Sequence, residues 1–325
     1  MLELSVAVAI CTYNGAAYVE EQLRSILSQS RQPTEIVVSD DGSSDNTVAL
    51  VTGLLENSGV RHRILENATA LGVSRNFEQA VLATTGDIVV LSDQDDIWNP
   101  QRLERACAEF EARPDLTLLF SDARMVDAAG APLGYALFDA LEISGADRRA
   151  IHTGSGFPTL LRRNVATGAT MAFRRSLLEV ATPFPIEWVH DEWLAILAAA
   201  VGQVDLLEEL LIDYRQHGAN QIGAREPSLG HKIRRVLEPR GDRNRGLAVR
   251  SGILASKLAT LGGAVKPADL KAARGKLRIE RMRADLPANR IARVLPVLME
   301  ARSGDYARFT SQGSTEILRD LFQPR

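Results

Sequence analysis

Residues 88–96 read Ile-Val-Val-Leu-Ser-Asp-Gln-Asp-Asp. Four consecutive apolar residues with no polar alternation are the pattern of a strand buried on both faces, and such strands belong to parallel sheets covered by helices. The run passes straight into an acidic turn, so the sheet edge it meets is expected to be polar. Two further runs repeat the arrangement. Val6–Ile10 ends at Cys11-Thr12-Tyr13-Asn14-Gly15, and Ile36-Val37-Val38 ends at Ser39-Asp40-Asp41-Gly42-Ser43-Ser44-Asp45-Asn46. Both endings are turn chemistry.

Between these strands the apolar spacing becomes helical. Val19, Leu23, Ile26 and Leu27 predict a helix within 17–30, and Pro33 stops it. Further helices are expected over 47–57, 77–83, 103–112 and 191–201, with strands over 61–66, 116–120 and 167–173. Alternation of this kind predicts an α/β fold with a mainly parallel, Rossmann-like sheet flanked by helices. Ligands of such sheets bind beyond the carboxyl ends of the strands. Thr12-Tyr13-Asn14, Asp40-Asp41 and the acidic residues 93–96 should therefore lie along one edge. Residues 123–155 are less regular and read as a mobile insertion over that edge.

Charge divides the chain. Residues 225–325 hold 22 of the 38 Lys and Arg residues but only 10 of the 41 Asp and Glu residues. This predicts an acidic N-terminal region, 1–224, and a basic C-terminal region, 225–325, facing an anionic partner. Pro239, Pro267, Pro287 and Pro296 make the second region read as a chain of short helices. Cys11 and Cys107 make neither a disulfide framework nor a zinc site. No basic leader and no long apolar stretch is present, so the expected location is the cytoplasm, with contact at the membrane surface left open.

The Asp-x-Asp spacing of Asp93 and Asp95 puts two hard oxygen ligands within reach of one divalent cation, Mn²⁺ or Mg²⁺, which would keep open positions for substrate phosphates. The alternative is an acidic turn capping the helix that follows. Asp40 and Asp41 could accept hydrogen bonds from a ribose or a base, or could simply form a turn.

Taken in order, Thr12-Tyr13-Asn14-Gly15, residues 38–47, Gly72-Val73-Ser74-Arg75-Asn76-Phe77, Gly86-Asp87-Ile88 and Ser92-Asp93-Gln94-Asp95-Asp96-Ile97-Trp98 resemble family 2 glycosyltransferases of the GT-A fold. The Asp-Gln-Asp-Asp-Ile-Trp version looks most like the rhamnosyltransferase-like branch. The resemblance covers 6–220 and implies a donor half over about 1–122 and an acceptor half over about 123–224. It also implies roles. Thr12, Tyr13 and Asn14 would border the nucleobase, with Asp40 bonding it and Asp41 close by. Arg75 would lie near the donor phosphates, Asp93 and Gln94 at the ribose, and Asp95 on the metal. Within His190-Asp191-Glu192-Trp193, Asp191 would be the catalytic base, with Glu192 its rival. In Tyr214-Arg215-Gln216-His217-Gly218-Ala219-Asn220, His217 would be a second metal ligand and Arg215 would touch phosphate. Trp193, beside the base, could stack on a sugar or be plain core. Thr167-Gly168-Ala169-Thr170-Met171 looks like the acceptor-side strand, where small residues let a ligand approach the backbone.

These residue types suit inverting transfer: a carboxylate takes the acceptor's proton, a cation neutralises the departing diphosphate, and an arginine bonds phosphate oxygens. The implied partners are a dTDP- or UDP-linked sugar, rhamnose first, and a saccharide or lipid-linked acceptor of bacterial cell-surface polysaccharide synthesis. Basic residues over 232–250, interleaved with Ile233, Val236 and Leu237, suit anionic lipid headgroups; a homodimer interface or a solvated cap are the alternatives. The arginine segments lack interleaved aromatics, so nucleic acid is not an expected partner. Two rival readings are a sugar-nucleotide nucleotidyltransferase, whose basic glycine-rich loop is missing after the first strand, and a non-catalytic binding module, which would have no use for Asp191.

Overall fold

The computed structural model describes residues 3–217 and 241–324. In chain order they form β1 (Val6–Thr12), α1 (Val19–Leu27), β2 (Glu35–Asp40), α2 (Thr47–Glu56), β3 (Arg61–Glu66), α3 (Val73–Leu82), β4 (Ile88–Ser92), β5 (Ile97–Trp98), α4 (Arg102–Ala112), β6 (Leu116–Val126), β7 (Pro132–Ala136), α5 (Leu137–Ala140), α6 (Gly145–His152), α7 (Phe157–Arg162), β8 (Met171–Arg174), α8 (Leu178–Ala181), α9 (His190–Val201) and β9 (Gln203–Arg215). Helices α10 (Arg243–Thr260), α11 (Pro267–Ala284), α12 (Arg290–Ser303), α13 (Asp305–Phe309) and α14 (Ser314–Phe322) follow. The chain divides into two compact units: Met1–Gly154 with Val165–Ala224, and Ser155–Asn164 with Arg225–Arg325. The sequence placed the division near 224. Helix α7 departs from that boundary by belonging with the C-terminal helices.

The first unit is built on a nine-stranded sheet in the order β3-β2-β1-β4-β8-β6-β9-β5, with β7 on β6. Strands β3, β2, β1 and β4 are mutually parallel. Every residue of β2 and of β4 is buried, which is why each carries a run of consecutive apolar residues, 36–38 and 88–91, with no solvent-facing alternation. Beyond β4 the sheet is mixed: β8 pairs antiparallel with both β4 and β6, β6 pairs parallel with β9, and β9 pairs antiparallel with the short β5.

The region 123–155 is not an irregular insertion. Strand β6 runs on to Val126, β7 returns against it, and α5 and α6 follow. Its many Gly and Ala residues hid these elements, because small residues give neither a clear strand nor a clear helix period. Strand β9 also escaped the sequence reading, since Glu208 and Glu209 interrupt its apolar pattern.

The second unit holds its helices together through buried ion pairs. Arg283 of α11 bonds Glu280, Glu316 and Asp320, and Tyr306 donates its hydroxyl to Asp320 at 2.8 Å. Pro267 begins α11, where its missing N–H costs nothing. Pro296 lies inside α12 and does not end it. Among the described residues no helix is long and apolar enough to cross a membrane. Of the basic segment singled out over 232–250, Lys232, Arg234, Arg235 and Arg240 lie outside the described residues, as do Gly218, Ala219 and Asn220.

Candidate active site

The parallel register sets the site. Thr12 at the end of β1 stands opposite Asp40 at the end of β2, and Ile10 stands opposite Ser92 at the end of β4. The three polar endings therefore leave the sheet side by side. Thr12 Oγ1 donates to Asp40 at 2.6 Å. Gln94 binds the next residue of that edge from the acidic loop, accepting the Tyr13 N–H at 2.8 Å and donating to the Tyr13 carbonyl at 3.0 Å. Gly15 makes this possible, because a Cβ there would overlap the Gln94 amide.

Several residues expected to touch the donor make hydrogen bonds within the protein. Asp40 accepts hydrogen bonds from Thr12, Gly42 N–H, and the N–H and hydroxyl of Ser43. Asp41 accepts the N–H groups of Leu71 and Gly72 and the Asn67 amide. Asn14, in the left-handed region at φ 48°, accepts the Ser44 N–H. These side chains fold the loops around the strand ends. Tyr13 differs, with 47% of its surface exposed, and its ring is presented to solvent.

Arg215, expected on phosphate, has a buried side chain. Its guanidinium donates to the carbonyls of Asp95 and Ala128 and to Glu21 at 2.6 Å, while its own N–H binds Asp96. The cause is the β6–β9–β5 arrangement, which pairs Val126 with Arg215 and Ile97 with Asp213 and so drives Arg215 beneath the acidic loop. Of the two readings of Trp193, burial and the bond from its Nε1 to the Ala181 carbonyl at 2.8 Å favour plain core. Arg75 sits in the first turn of α3, half-exposed, with Nη1 on Glu78 at 2.5 Å.

The acidic residues do converge. Asp95 and His217 are 2.8 Å apart, and the imidazole stacks on Tyr18 with ring centroids 4.7 Å apart. Asp93 is pushed up to about 7 by burial and then by the negative charges of Asp95 and Asp191. Asp96 is raised by burial and by Asp95 and Asp93, and its Oδ2 is buried without a hydrogen-bond partner. Burial and the charges of Asp93, Asp96, Asp95 and Asp191 raise Tyr214, so its hydroxyl stays protonated among four carboxylates. Asp191 thus stands with the strand-end acids. It lies in the first turn of α9, where Gly168 N–H binds its Oδ2 at 3.1 Å and Glu192 N–H its Oδ1 at 2.5 Å.

Gly168 does not open space for a ligand as expected. A Cβ there would stand 2.8 Å from His190 Nε2 and 3.4 Å from the Asp191 Cβ, so the glycine lets the start of α9 pack against the turn before β8.

The sequence reading missed Arg102. It is buried at the start of α4, its Nη2 donates to the carbonyls of Leu91 and Ala169, and its Cζ lies 3.8 Å over the Trp98 ring. Burial pulls it down to about 9, against the pull of Asp96 and Asp93. It remains a cation at neutral pH and serves as the internal counter-charge of the acidic loop. A lone arginine at a helix start reads as surface, and only the register reveals otherwise.

Among the described residues, no three His, Cys, Asp or Glu side chains form a ready metal centre. The pair Asp95 and His217 nonetheless suits a divalent cation, since a carboxylate and an imidazole are both ligands of Mn²⁺. The remaining ligands would come from water and a bound diphosphate. The orphaned Asp96 oxygen and the raised Asp93 both mark negative charge that an added cation would relieve.

Residues 7–179 match the family model of Glycosyl transferase family 2. The chain belongs to this family. Its mixed sheet flanked by helices is of the GT-A type. An uncharacterized glycosyltransferase of Nostoc sp. is 29% identical over 223 residues, 67% of this chain and 66% of that protein. A dTDP-rhamnosyl transferase of Shigella flexneri is 33% identical over 101 residues, 30% of this chain and 35% of that protein. The chain thus spans just under two-thirds of the Nostoc protein and about a third of the Shigella one. The mannosyltransferase of Pyrobaculum calidifontis, solved with GDP-Man and Mn²⁺, superposes with a TM-score of 0.56 at 20% identity, over 99% of this chain and 86% of that one. At that identity the likeness is one of fold.

Proposed function

We propose that this transferase is an inverting glycosyltransferase that moves a sugar from a nucleotide-diphosphate donor to a saccharide or lipid-linked acceptor in bacterial cell-surface polysaccharide synthesis. The observation that carries the reading is the convergence of Asp191 with the strand-end acids Asp93, Asp95 and Asp96, beside the exposed Tyr13 ring. Rhamnose from a dTDP donor is the first candidate, supported by the partial similarity to the Shigella enzyme; UDP-hexoses come next.

In the proposed reaction Tyr13 borders the nucleobase. Asp95 and His217 hold Mn²⁺ or Mg²⁺, which would supply positive charge to the departing diphosphate. Asp191 accepts the proton of the acceptor hydroxyl as its oxygen attacks the anomeric carbon and the bond to the diphosphate breaks. Its N–H donors from Gly168 and Glu192 orient the carboxylate. Arg102 and Arg215 act from behind, fixing the acidic loop. A lipid-linked acceptor would bring the enzyme from the cytoplasm to the membrane surface, with the basic region 225–325 as the side in contact.

The test is release of nucleoside diphosphate from a panel of nucleotide-sugars in the presence of Mn²⁺. Turnover of at least one donor is expected, with Asp191→Asn abolishing transfer. A panel without turnover, or an Asp191→Asn variant as active as the parent, would overturn the proposal.

A further inference from the structure

Helix α12 carries an apolar stripe on the side turned away from its own core. The helix buries Arg293 and Val297. Its other side presents Ile291, Val294, Leu295, Leu298 and Met299 at i, i+3, i+4, i+7 and i+8, the spacing of one continuous helical face. Ile291 is 83% exposed, Leu295 70% and Met299 63%. Helix α14, which packs against α12, adds Leu318 and Phe322, both half-exposed. An apolar surface this continuous marks an interaction site.

The charges around it select the partner. Arg290 and Arg302 are exposed at the two ends of α12. The acidic residues of α12 and α14 point inward: Glu300 bonds Arg278 at 2.5 Å, Glu316 bonds Arg243 and Arg283, and Asp320 bonds Arg283 and Tyr306. The outward face is therefore apolar with a cationic rim and no acidic group of its own. A second copy fits it poorly. Pairing α12 with itself, parallel or antiparallel, sets arginine against arginine with no carboxylate between them.

We infer that this face of α12 and α14 rests on the surface of an anionic membrane. The apolar stripe enters the boundary between headgroups and acyl chains, and Arg290 and Arg302 bind lipid phosphates. A 14-residue helix lying flat presents a strip about 21 Å long, and interfacial helices of this type bury their apolar side by roughly 5–10 Å. The inference deepens the membrane-side acceptor reading above and rests on it. It moves the contact from the basic segment 232–250 to a named apolar face.

The experiment is flotation of the full chain with vesicles of phosphatidylcholine, with and without phosphatidylglycerol, alongside donor hydrolysis in free solution. Binding to the anionic vesicles is expected, weakened by salt. Leu295→Glu should lower it about tenfold or more, and the double variant Arg290→Ala/Arg302→Ala should remove most of the salt dependence. Both variants change exposed side chains and should keep the parent's donor hydrolysis, so loss of binding is separable from failure of the transferase reading. No binding by the parent, or equal binding by Leu295→Glu, overturns the inference. So does a dimer in sedimentation velocity that Leu295→Glu dissociates, since the face would then be an interface between copies.

Discussion

Replacing His190 by glutamine should flatten the acid side of the stability profile. The His190 ring stacks on Phe77 with centroids 4.0 Å apart, and both its nitrogens are buried without hydrogen-bond partners. Burial pulls it from 6.5 down to about 3. Above pH 6.5 the ring is neutral in the folded and the unfolded chain and contributes no pH dependence. Below that, the unfolded chain takes up a proton that the folded chain refuses until about pH 3, so stability is lost as pH falls through this window. The slope for one such group is about 1.4 kcal/mol per pH unit, so acidification from about pH 6.5 to about pH 4.5 costs roughly 2–3 kcal/mol through His190 alone. Glutamine carries no titrating group. Urea unfolding of parent and His190→Gln at a series of pH values measures the difference directly. The gap between the two proteins should close by about that amount toward pH 4.5. Parallel pH profiles would refute the reasoning, whatever the absolute cost of the substitution.

Arg102→Met removes the counter-charge under Asp93 and Asp96 and should lower unfolding free energy by about 3 kcal/mol, read by urea melts; a loss within error would mean the acids are balanced elsewhere. Gly15→Ala forces Gln94 off the Tyr13 backbone, and losing two hydrogen bonds near the nucleobase should weaken nucleotide affinity about tenfold, with Gln94→Ala matching it in a fluorescence titration. Trp193→Phe leaves the Ala181 carbonyl unpaired and a small cavity, costing about 2–3 kcal/mol while nucleotide affinity stays unchanged; a fall in affinity without a fall in stability would place the ring on the donor after all.

Strands β1, β2 and β4 were legible from their buried apolar runs, and β3, polar and largely exposed, was still bounded to the residue as Arg61–Glu66. In the other half of the sheet the sequence placed strands over 116–120 and 167–173, within β6 and overlapping β8, but not the full length of β6 nor β5, β7 and β9. There β6 and β9 mix polar and apolar residues, and the antiparallel placement of β8 follows from tertiary pairing alone. The convergence of Asp95, His217 and Asp191 was expected from motif order. Which polar residues the protein consumes internally was not, because Asp40 and Asp41 look the same in sequence whether they bind a nucleoside or a loop N–H. Arg215 and Arg102 show the same gap: burial of a guanidinium depends on what the register puts above it. Trp193 follows the same rule, its indole N–H finding a carbonyl twelve residues away.

Asp95 is proposed to serve donor binding through a cation and Asp191 the chemistry, side by side at the strand ends. Calorimetric titration of a nucleoside diphosphate into the parent, Asp95→Asn and Asp191→Asn, with and without Mn²⁺, tests it most directly. The account predicts Mn²⁺-dependent binding that Asp95→Asn loses and Asp191→Asn keeps. Equal binding by Asp95→Asn, or binding indifferent to Mn²⁺, would contradict it.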